Sequence, residues 1–512
     1  MSSINYAIGV DIGTTSTKAV LFTEKGVVVH QHGVEYPLYM PTTGVAEQEP
    51  EEILAAVIAS VKAVISASQA LPNFTPANLL CVSFSAAMHS IIAVDSDCNP
   101  LSRSITWADN RSAKWATWLK QDPASHGIYR RTGTPIHAMS PLIKLIWLRH
   151  EQPDLFKRTA KFISIKEFVF YRLCGQYLVD YAIASATGLM NLETLTWDQE
   201  SIEIAGIKKQ QLSQIVPTTH IVNGIDAKYA EAMGIAQNTP FAIGASDGVL
   251  SNLGVDAIAP GVVAVTVGTS GAVRAVVDRP WTDLEERLFC YALTDKHWVI
   301  GGAVNNGGIV FRWMRDQLCS VETAAIEELG QNPYDMMTDL AQTVAPGSDG
   351  LIFYPYMVGE RAPIWDANAS GSFIGLTFRH TKAHLIRAML EGIGFNLYMV
   401  LQALEDAIGQ PKSVRATGGM VRSPLWRQLM ADIFQCEIAV PDSYESSCLG
   451  AVVLGLYALK YIPSLEIVSD IIGQTSQTQP IAKNVEIYQN IFPIYKRLLQ
   501  LLQTEYANLA NL

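Results

Sequence analysis

Two short stretches constrain this chain more than anything else in it. They are Gly13-Thr14-Thr15-Ser16-Thr17-Lys18-Ala19-Val20 and Gly268-Thr269-Ser270-Gly271-Ala272-Val273-Arg274-Ala275-Val276. Each follows an apolar run, Tyr6 to Val10 in the first case and Val262 to Val267 in the second, and each leads into another. Two strands joined by a turn of glycine and hydroxyl residues make a hairpin. At its tip, backbone N–H groups and hydroxyls face outward, which is how a loop holds phosphate oxygens. Asp11 closes the first strand, where a carboxylate could hold a hydrated Mg²⁺ attached to those phosphates. The plainer alternative is a surface hairpin with a polar tip. The echo between the two stretches favours the first reading, because two similar halves suggest duplicated domains facing each other across a cleft.

The length of 512 residues is too great for one core and suits two large domains. The change of pattern near Pro240 places the division between residues 1–245 and 246–512. Hydrophobic residues make up 49% of the chain and charged ones 17%, an ordinary globular balance. The net charge of -11 and the lack of a basic cluster argue against a nucleic-acid or anionic-membrane surface. Any phosphate must then be held by local dipoles, a few cations and metal. The seven cysteines are scattered and show no C-x-x-C spacing, as expected of reduced, mostly buried thiols in a cytoplasm. A first strand beginning by residue 6 leaves no room for a signal peptide, and no apolar run reaches membrane-spanning length. The expectation is a soluble cytoplasmic protein.

Apolar spacing predicts a helix opening at Pro50 and a buried strand over Leu79 to Phe84 that runs into Met88-His89. A strand ending at Trp107 passes through Asp109 and Arg111 into a Trp-rich helix. Strand ends are where open α/β sheets bind ligands, so these segments are natural pocket walls. His89 is an oriented donor for a sugar hydroxyl or simply a satisfied structural histidine. Trp107, Asp109 and Arg111 suit a polyol, with an aromatic face on C–H groups and charged tips on hydroxyls, or form a surface ion pair. Further on, Ala245-Ser246-Asp247-Gly248 opens a helix after a strand, and Thr417-Gly418-Gly419 turns a strand into another helix. Gly418-Gly419 lets backbone approach a flat ring or a phosphate.

The chain contains no G-x-x-x-x-G-K-[ST] and no G-x-G-x-x-G after a strand. Phosphoryl transfer to an alcohol needs a phosphate cradle, Mg²⁺ ligands and a base for the hydroxyl proton. Asp247 is the best candidate base, although Asp before Gly at a helix start is also a common N-cap. No residues at metal-ligand spacing suggest zinc or iron.

The whole chain resembles the FGGY family of carbohydrate kinases. The most specific stretch is Gly371-Ser372-Phe373-Ile374-Gly375-Leu376, followed by His384-Leu385 and Ala388-Met389-Leu390-Glu391. An N-terminal signature is recognisable at Met139 to Glu151, with Pro141, Lys144 and Trp147 in place and His150 a mild departure. The resemblance implies an α/β, two-domain actin-like ATPase (ribonuclease H-like) fold with a cleft between the domains. It implies Asp247 as general base, Asp11 near Mg²⁺, and Thr14, Thr15, Ser16 and Lys18 on the nucleotide phosphates. Thr269 and Gly308 would hold the phosphates from the other domain, with Gly419 and Ser423 near adenine and ribose. Met88 and His89 match the sugar-binding pair of xylulose-phosphorylating members, with Trp107, Asp109 and Arg111 added as substrate candidates. Arg312 stands where glycerol-phosphorylating members carry Gln and is left unassigned.

Overall likeness, chiefly in SFSAAMHS, TWADNRS and GASDGVLSNLGV, favours members acting on gluconate. The expected reaction is ATP-dependent phosphorylation of D-gluconate to 6-phospho-D-gluconate, with Arg111 or Lys144 meeting the sugar-acid carboxylate. A xylulose or other polyol kinase is the nearest alternative. A non-catalytic sugar-sensing protein on the same fold is the alternative of another class. A sugar-regulated repressor would need a DNA-binding segment ahead of the first hairpin. The expected partners are ATP and a small sugar acid, with no nucleic acid or membrane, and a homodimer is left open.

Overall fold

The structure is a computed structural model that describes residues 4–71, 74–441, 445–472 and 476–509. The chain divides into two compact units, each assembled from more than one stretch of sequence. The first comprises Met1–Ile258, Val276–Val299 and Glu445–Gly473; the second comprises Ala259–Ala275, Ile300–Tyr444 and Gln474–Leu512.

In the first unit, β1 (Tyr6–Ile12), β2 (Ser16–Thr23) and β3 (Val28–Glu35) form an antiparallel meander. β4 (Leu79–Ala86) lies parallel to β1 on its other side, and β5 (Ile221–Val222) and β6 (Phe241–Ser246) complete the order β5-β6-β4-β1-β2-β3. β6 is parallel to β4, and β5 is antiparallel to β6. β1 and β4 read as nearly unbroken apolar runs because they are central strands covered on both faces. The helix Pro50–Ser68 packs Ile53, Val57, Val61 and Ile65 into the core that β1 and β4 line. The helix Ser446–Ala458 passes β1 so closely that a Cβ on Gly9 would lie 2.3 Å from the Cys448 carbonyl oxygen. Only glycine fits there.

The second unit repeats the plan. β7 (Val262–Val267) and β8 (Gly271–Val277) form the hairpin, with β9 (Trp298–Val304) beyond β8. β10 (Ser413–Thr417) is parallel to β7, and β11 (Ile438–Val440) and β12 (Ser476–Thr478) follow, giving β9-β8-β7-β10-β11-β12, with a seventh strand, Phe289–Ala292, on the far side of β9. β12 is antiparallel to β11, as β5 is to β6. The duplication expected from two Gly-Thr turns is thus a shared strand order. The helix Lys382–Ile408 carries His384-Leu385 and Ala388 to Glu391, and its Glu391 has a structural task. Glu391 is buried and accepts hydrogen bonds from Arg387 Nε, Gly347 N, Ser348 Oγ and Tyr488 Oη at 2.8–2.9 Å.

Among the described residues, no helix is long and apolar enough to cross a membrane. All seven cysteines are free, and six of them are buried.

Candidate active site

Parallel strand ends assemble the candidates of the first unit. Ile12, Ala86 and Ser246 stand level across β1, β4 and β6. Adjacent strands lie about 4.8 Å apart, so Gly13–Thr15, Met88-His89 and Asp247 leave one edge of the sheet within a span of about 10 Å. The turn is shorter than the sequence suggests. The ladder continues to Asp11 opposite Lys18 and Ile12 opposite Thr17, so the tip is Gly13-Thr14-Thr15 and both Ser16 and Lys18 belong to β2.

Asp11 lies between Lys18 and Ser85 in register, and Ser85 Oγ donates to Asp11 Oδ1 at 2.6 Å. Burial holds the Asp11 carboxyl above the ordinary carboxylate range, opposed by the Ser85 hydrogen bond and Lys18 and reinforced by Glu445. Lys18 Nζ donates to both Glu445 oxygens, at 3.0 and 3.1 Å. Burial disfavours its charge, but the pairing with Glu445 outweighs that and its pKa rises. The tip is buttressed from below, with Tyr36 Oη donating to the Gly13 carbonyl (2.8 Å) and Gln48 Nε2 to the Thr14 carbonyl (2.7 Å). The Trp107 indole N–H donates to Thr14 Oγ1 at 3.0 Å, joining a sugar candidate to a phosphate candidate.

His89 follows β4 in a left-handed conformation (φ 67°), which is unusual for a residue with a side chain. Its Nδ1 lies 2.7 Å from the Ala186 carbonyl, an acceptor only, so Nδ1 carries the proton. In the neutral ring Nε2 is then an acceptor, 3.4 Å from Tyr291 Oη. Met88 beside it is half-buried. Asp247 is not the N-cap that Asp-Gly implies. Ser246 stands at the N-cap position of the helix Asp247–Gly254 without a side-chain cap bond, and Asp247, the half-buried first residue of the helix, accepts the Gly248 N–H at 2.6 Å.

Asp109 is buried, and its oxygens take the Ala46 and Arg111 backbone N–H groups and Arg111 Nε at 3.0–3.1 Å. It supports Arg111, whose guanidinium also bonds Glu47 at 2.5 Å and lies 4.6 Å over the Trp147 ring. Lys144 does not reach toward a ligand. It is fully buried, and its ammonium donates to three backbone carbonyls, His89 (2.7 Å), Thr106 (2.7 Å) and Met139 (2.8 Å). The expectation that it meets a substrate carboxylate is corrected by this saturation of its three N–H groups.

In the second unit, Thr266 and Thr417 stand level on the parallel strands β7 and β10. The turns after them meet the helix Gly308–Leu318, where Gly308 N donates to the Gly268 carbonyl (2.7 Å) and Ile309 N to the Thr269 carbonyl (3.0 Å). A Cβ on Gly308 would press to 2.7 Å from the Gly268 oxygen, whereas one on Gly419 would meet nothing within 4 Å. Glycine at 308 serves close packing; at 419 it leaves room. Thr269, Gly308, Gly419 and Ser423 all line one cavity of about 360 Å³. Phe311, Tyr334, Leu390, Met420 and Trp426 supply its apolar walls, and Arg312, Asn332, Asp335, Thr338 and Arg422 its polar ones. Ser423 Oγ accepts the Trp426 N–H at 3.3 Å and caps the helix Pro424–Phe434. Sequence reasoning missed Tyr334 and its neighbours; Asn332-Pro333, an N-cap followed by Pro at N1, was the available signal.

A profile of the FGGY family of carbohydrate kinases, N-terminal domain, matches residues 6–254, and that of the C-terminal domain matches residues 263–459. The chain belongs to the FGGY family of carbohydrate kinases. Members of this FGGY family use ATP as phosphoryl donor. Among curated FGGY relatives, a gluconokinase of Bacillus licheniformis is 52% identical over 508 residues, spanning 99% of this chain and 98% of the relative. Among solved FGGY structures, a gluconate kinase from Lactobacillus acidophilus superposes with a TM-score of 0.92 at 39% identity. A ligand-bound xylulose kinase from Lactobacillus acidophilus superposes at 0.93, also at 39% identity. Both alignments cover 99% of this chain and 100% of the other. The FGGY architecture is the two-domain, actin-like ATPase fold that the strand order displays.

Proposed function

We propose that this kinase transfers the γ-phosphoryl group of ATP to D-gluconate, giving 6-phospho-D-gluconate and ADP. The observation that carries the substrate is the 52% identity to a gluconokinase along 99% of the chain. Asp247 acts as general base. Its carboxylate takes the proton of the 6-hydroxyl as the O6–P bond forms, while the bond from the γ-phosphorus to the bridging oxygen breaks and ADP leaves. His89, in the tautomer with an unprotonated Nε2, accepts a sugar hydroxyl hydrogen, and Met88 and Trp107 pack on the carbon chain. With Lys144 saturated, Arg111 is the cation for the substrate carboxylate, held at its Nε by Asp109.

In the first unit, Thr14, Thr15, Ser16 and Lys18 are the groups for nucleotide phosphates; in the second, Thr269 and Gly308 serve phosphates, and Gly419 and Ser423 of the same cavity border adenosine. The Asp11 carboxylate and the Ser85 hydroxyl bonded to it are oxygen donors and suit a hard divalent cation such as Mg²⁺. When bound, that ion would offset negative charge on the ATP phosphates.

A xylulose kinase structure at 39% identity supports a second reading. Coupled ADP release measured on gluconate, xylulose, other pentuloses, pentitols and glycerol separates the two. Gluconate is expected to give the highest kcat/KM. A higher value on xylulose replaces the substrate, and ATP and sugar binding without turnover on any of them replaces the kinase by a sensor.

A further inference from the structure

Lys144 takes no part in the transfer described above, yet its amino group is fully buried, and burial pushes its pKa down to about 7, so the three carbonyls around it are what favour the charged form. Its partners are three backbone carbonyls from three separate segments. The His89 carbonyl belongs to the segment after β4. The Thr106 carbonyl belongs to the peptide that leads into Trp107. The Met139 carbonyl lies just ahead of the helix Pro141–Glu151, on which Lys144 sits. Carbonyl oxygens drawn to one point repel one another, and only a group with three donors satisfies all three. An ammonium has three N–H groups in tetrahedral array, a neutral amine two and a methionine none. Charge-assisted bonds of this kind are also the strong ones.

The placement of the three segments gives the clamp its meaning. One carries His89, whose left-handed backbone needs the surroundings to hold it. Another opens the turn that presents Trp107 and Arg111. We infer that Lys144 is a positioning residue for the sugar site, its ammonium fixing the backbones of His89 and Trp107 against the start of the helix Pro141–Glu151. The inference rests on the reading that His89 and Trp107 meet the sugar. It distinguishes Lys144 from a lysine that merely stabilises the fold, because its removal loosens the sugar side and leaves the nucleotide side unchanged.

The test compares wild type with Lys144→Met and with the milder Lys144→Gln, which retains two donors. Steady-state kinetics with gluconate and Mg·ATP are expected to show the gluconate KM raised about tenfold or more in Lys144→Met and less in Lys144→Gln. The ATP KM should stay within about twofold. Equal rises in both KM values, or no rise in either, overturn the clamp. Amide hydrogen exchange on the ligand-free enzymes reads it without any substrate. Residues 86–91, 104–109 and 137–144 should exchange faster in the variants, with the rest of the chain little changed; a uniform increase overturns the proposal. If neither variant folds, exchange in the wild type decides. The three segments should then open as one unit with matching protection, and independent opening refutes the clamp. Should wild type fail to phosphorylate gluconate, the substrate reading falls, and the exchange results still decide whether Lys144 ties the segments.

Discussion

The sharpest test of the mechanism is Asp247→Asn. Asn keeps the size of the side chain and an Oδ1 that accepts the Gly248 N–H, the 2.6 Å bond seen at the helix start. Ser246, not residue 247, stands at the N-cap position, so the change leaves that position untouched. The fold should therefore be retained, with the loss of a negative charge in the first helical turn costing about 0.3 to 1 kcal/mol and the melting temperature staying within about 4 °C of wild type. What disappears is a proton acceptor. General-base catalysis is worth about 10² to 10⁴ in rate, or about 2.7 to 5.4 kcal/mol in barrier at about 1.36 kcal/mol per decade. The expected result is a fall in kcat of at least about 100-fold with gluconate affinity retained, measured by coupled ADP release and by calorimetric binding. A kcat within about threefold of wild type would remove Asp247 from the base role, since that is below the range for such a loss. Loss of gluconate binding with an intact fold would make it a binding group instead.

Three further outcomes follow from particular contacts. Ser85→Ala removes the 2.6 Å donor to Asp11, so the concentration of Mg²⁺ giving half-maximal rate should rise severalfold, with gluconate KM little changed; an unaltered Mg²⁺ requirement would count against a metal role for Asp11. Glu167 is buried, and burial pushes its carboxyl from the ordinary 4.5 up to about 7. The folded state thus holds this proton more tightly, so its stabilisation is complete below pH 4.5 and lost as pH rises through about 7. At most this is about 3 kcal/mol. Glu167→Gln can still accept the Ser164 N–H, and its melts between pH 5 and 8 should show a smaller decline than wild type; parallel declines would refute the assignment. Tyr334→Ala opens the wall of the second unit's cavity and should raise the ATP KM about tenfold while sparing gluconate KM, on the scale of one lost stacking contact; equal ATP KM values would put the nucleobase elsewhere.

The parts legible in the sequence were those written in local turn chemistry. Gly-Thr turns between apolar runs marked both hairpins, and Gly418-Gly419 marked a strand-to-helix turn, because glycine and hydroxyl residues act on the backbone within a few positions. Strand register was less visible: pairing across the hairpin drew Ser16 and Lys18 into β2, which composition at the turn could not foretell. Least visible were partnerships formed by packing. Gln48, Tyr36 and Trp107 gather on Gly13 and Thr14 from separate segments, and Tyr291 reaches His89 from across the sequence. Lys144 looked like a cation available to an acid because a buried tripod of carbonyls has no sequence signature. The cavity of the second unit joins Phe311, Tyr334 and Trp426 from three helices, each of which reads alone as ordinary core.

The close passage of the helix Ser446–Ala458 over Gly9 bears on how the chain is made. β1 is synthesised long before the helix Ser446–Ala458 that covers it on that side. Until then an apolar face of the earliest sheet stays bare, a state prone to association. The first unit therefore closes over β1 only once the helix Ser446–Ala458 has been made, and a chain truncated before Ser446 is expected to expose that face and associate more readily than the full chain.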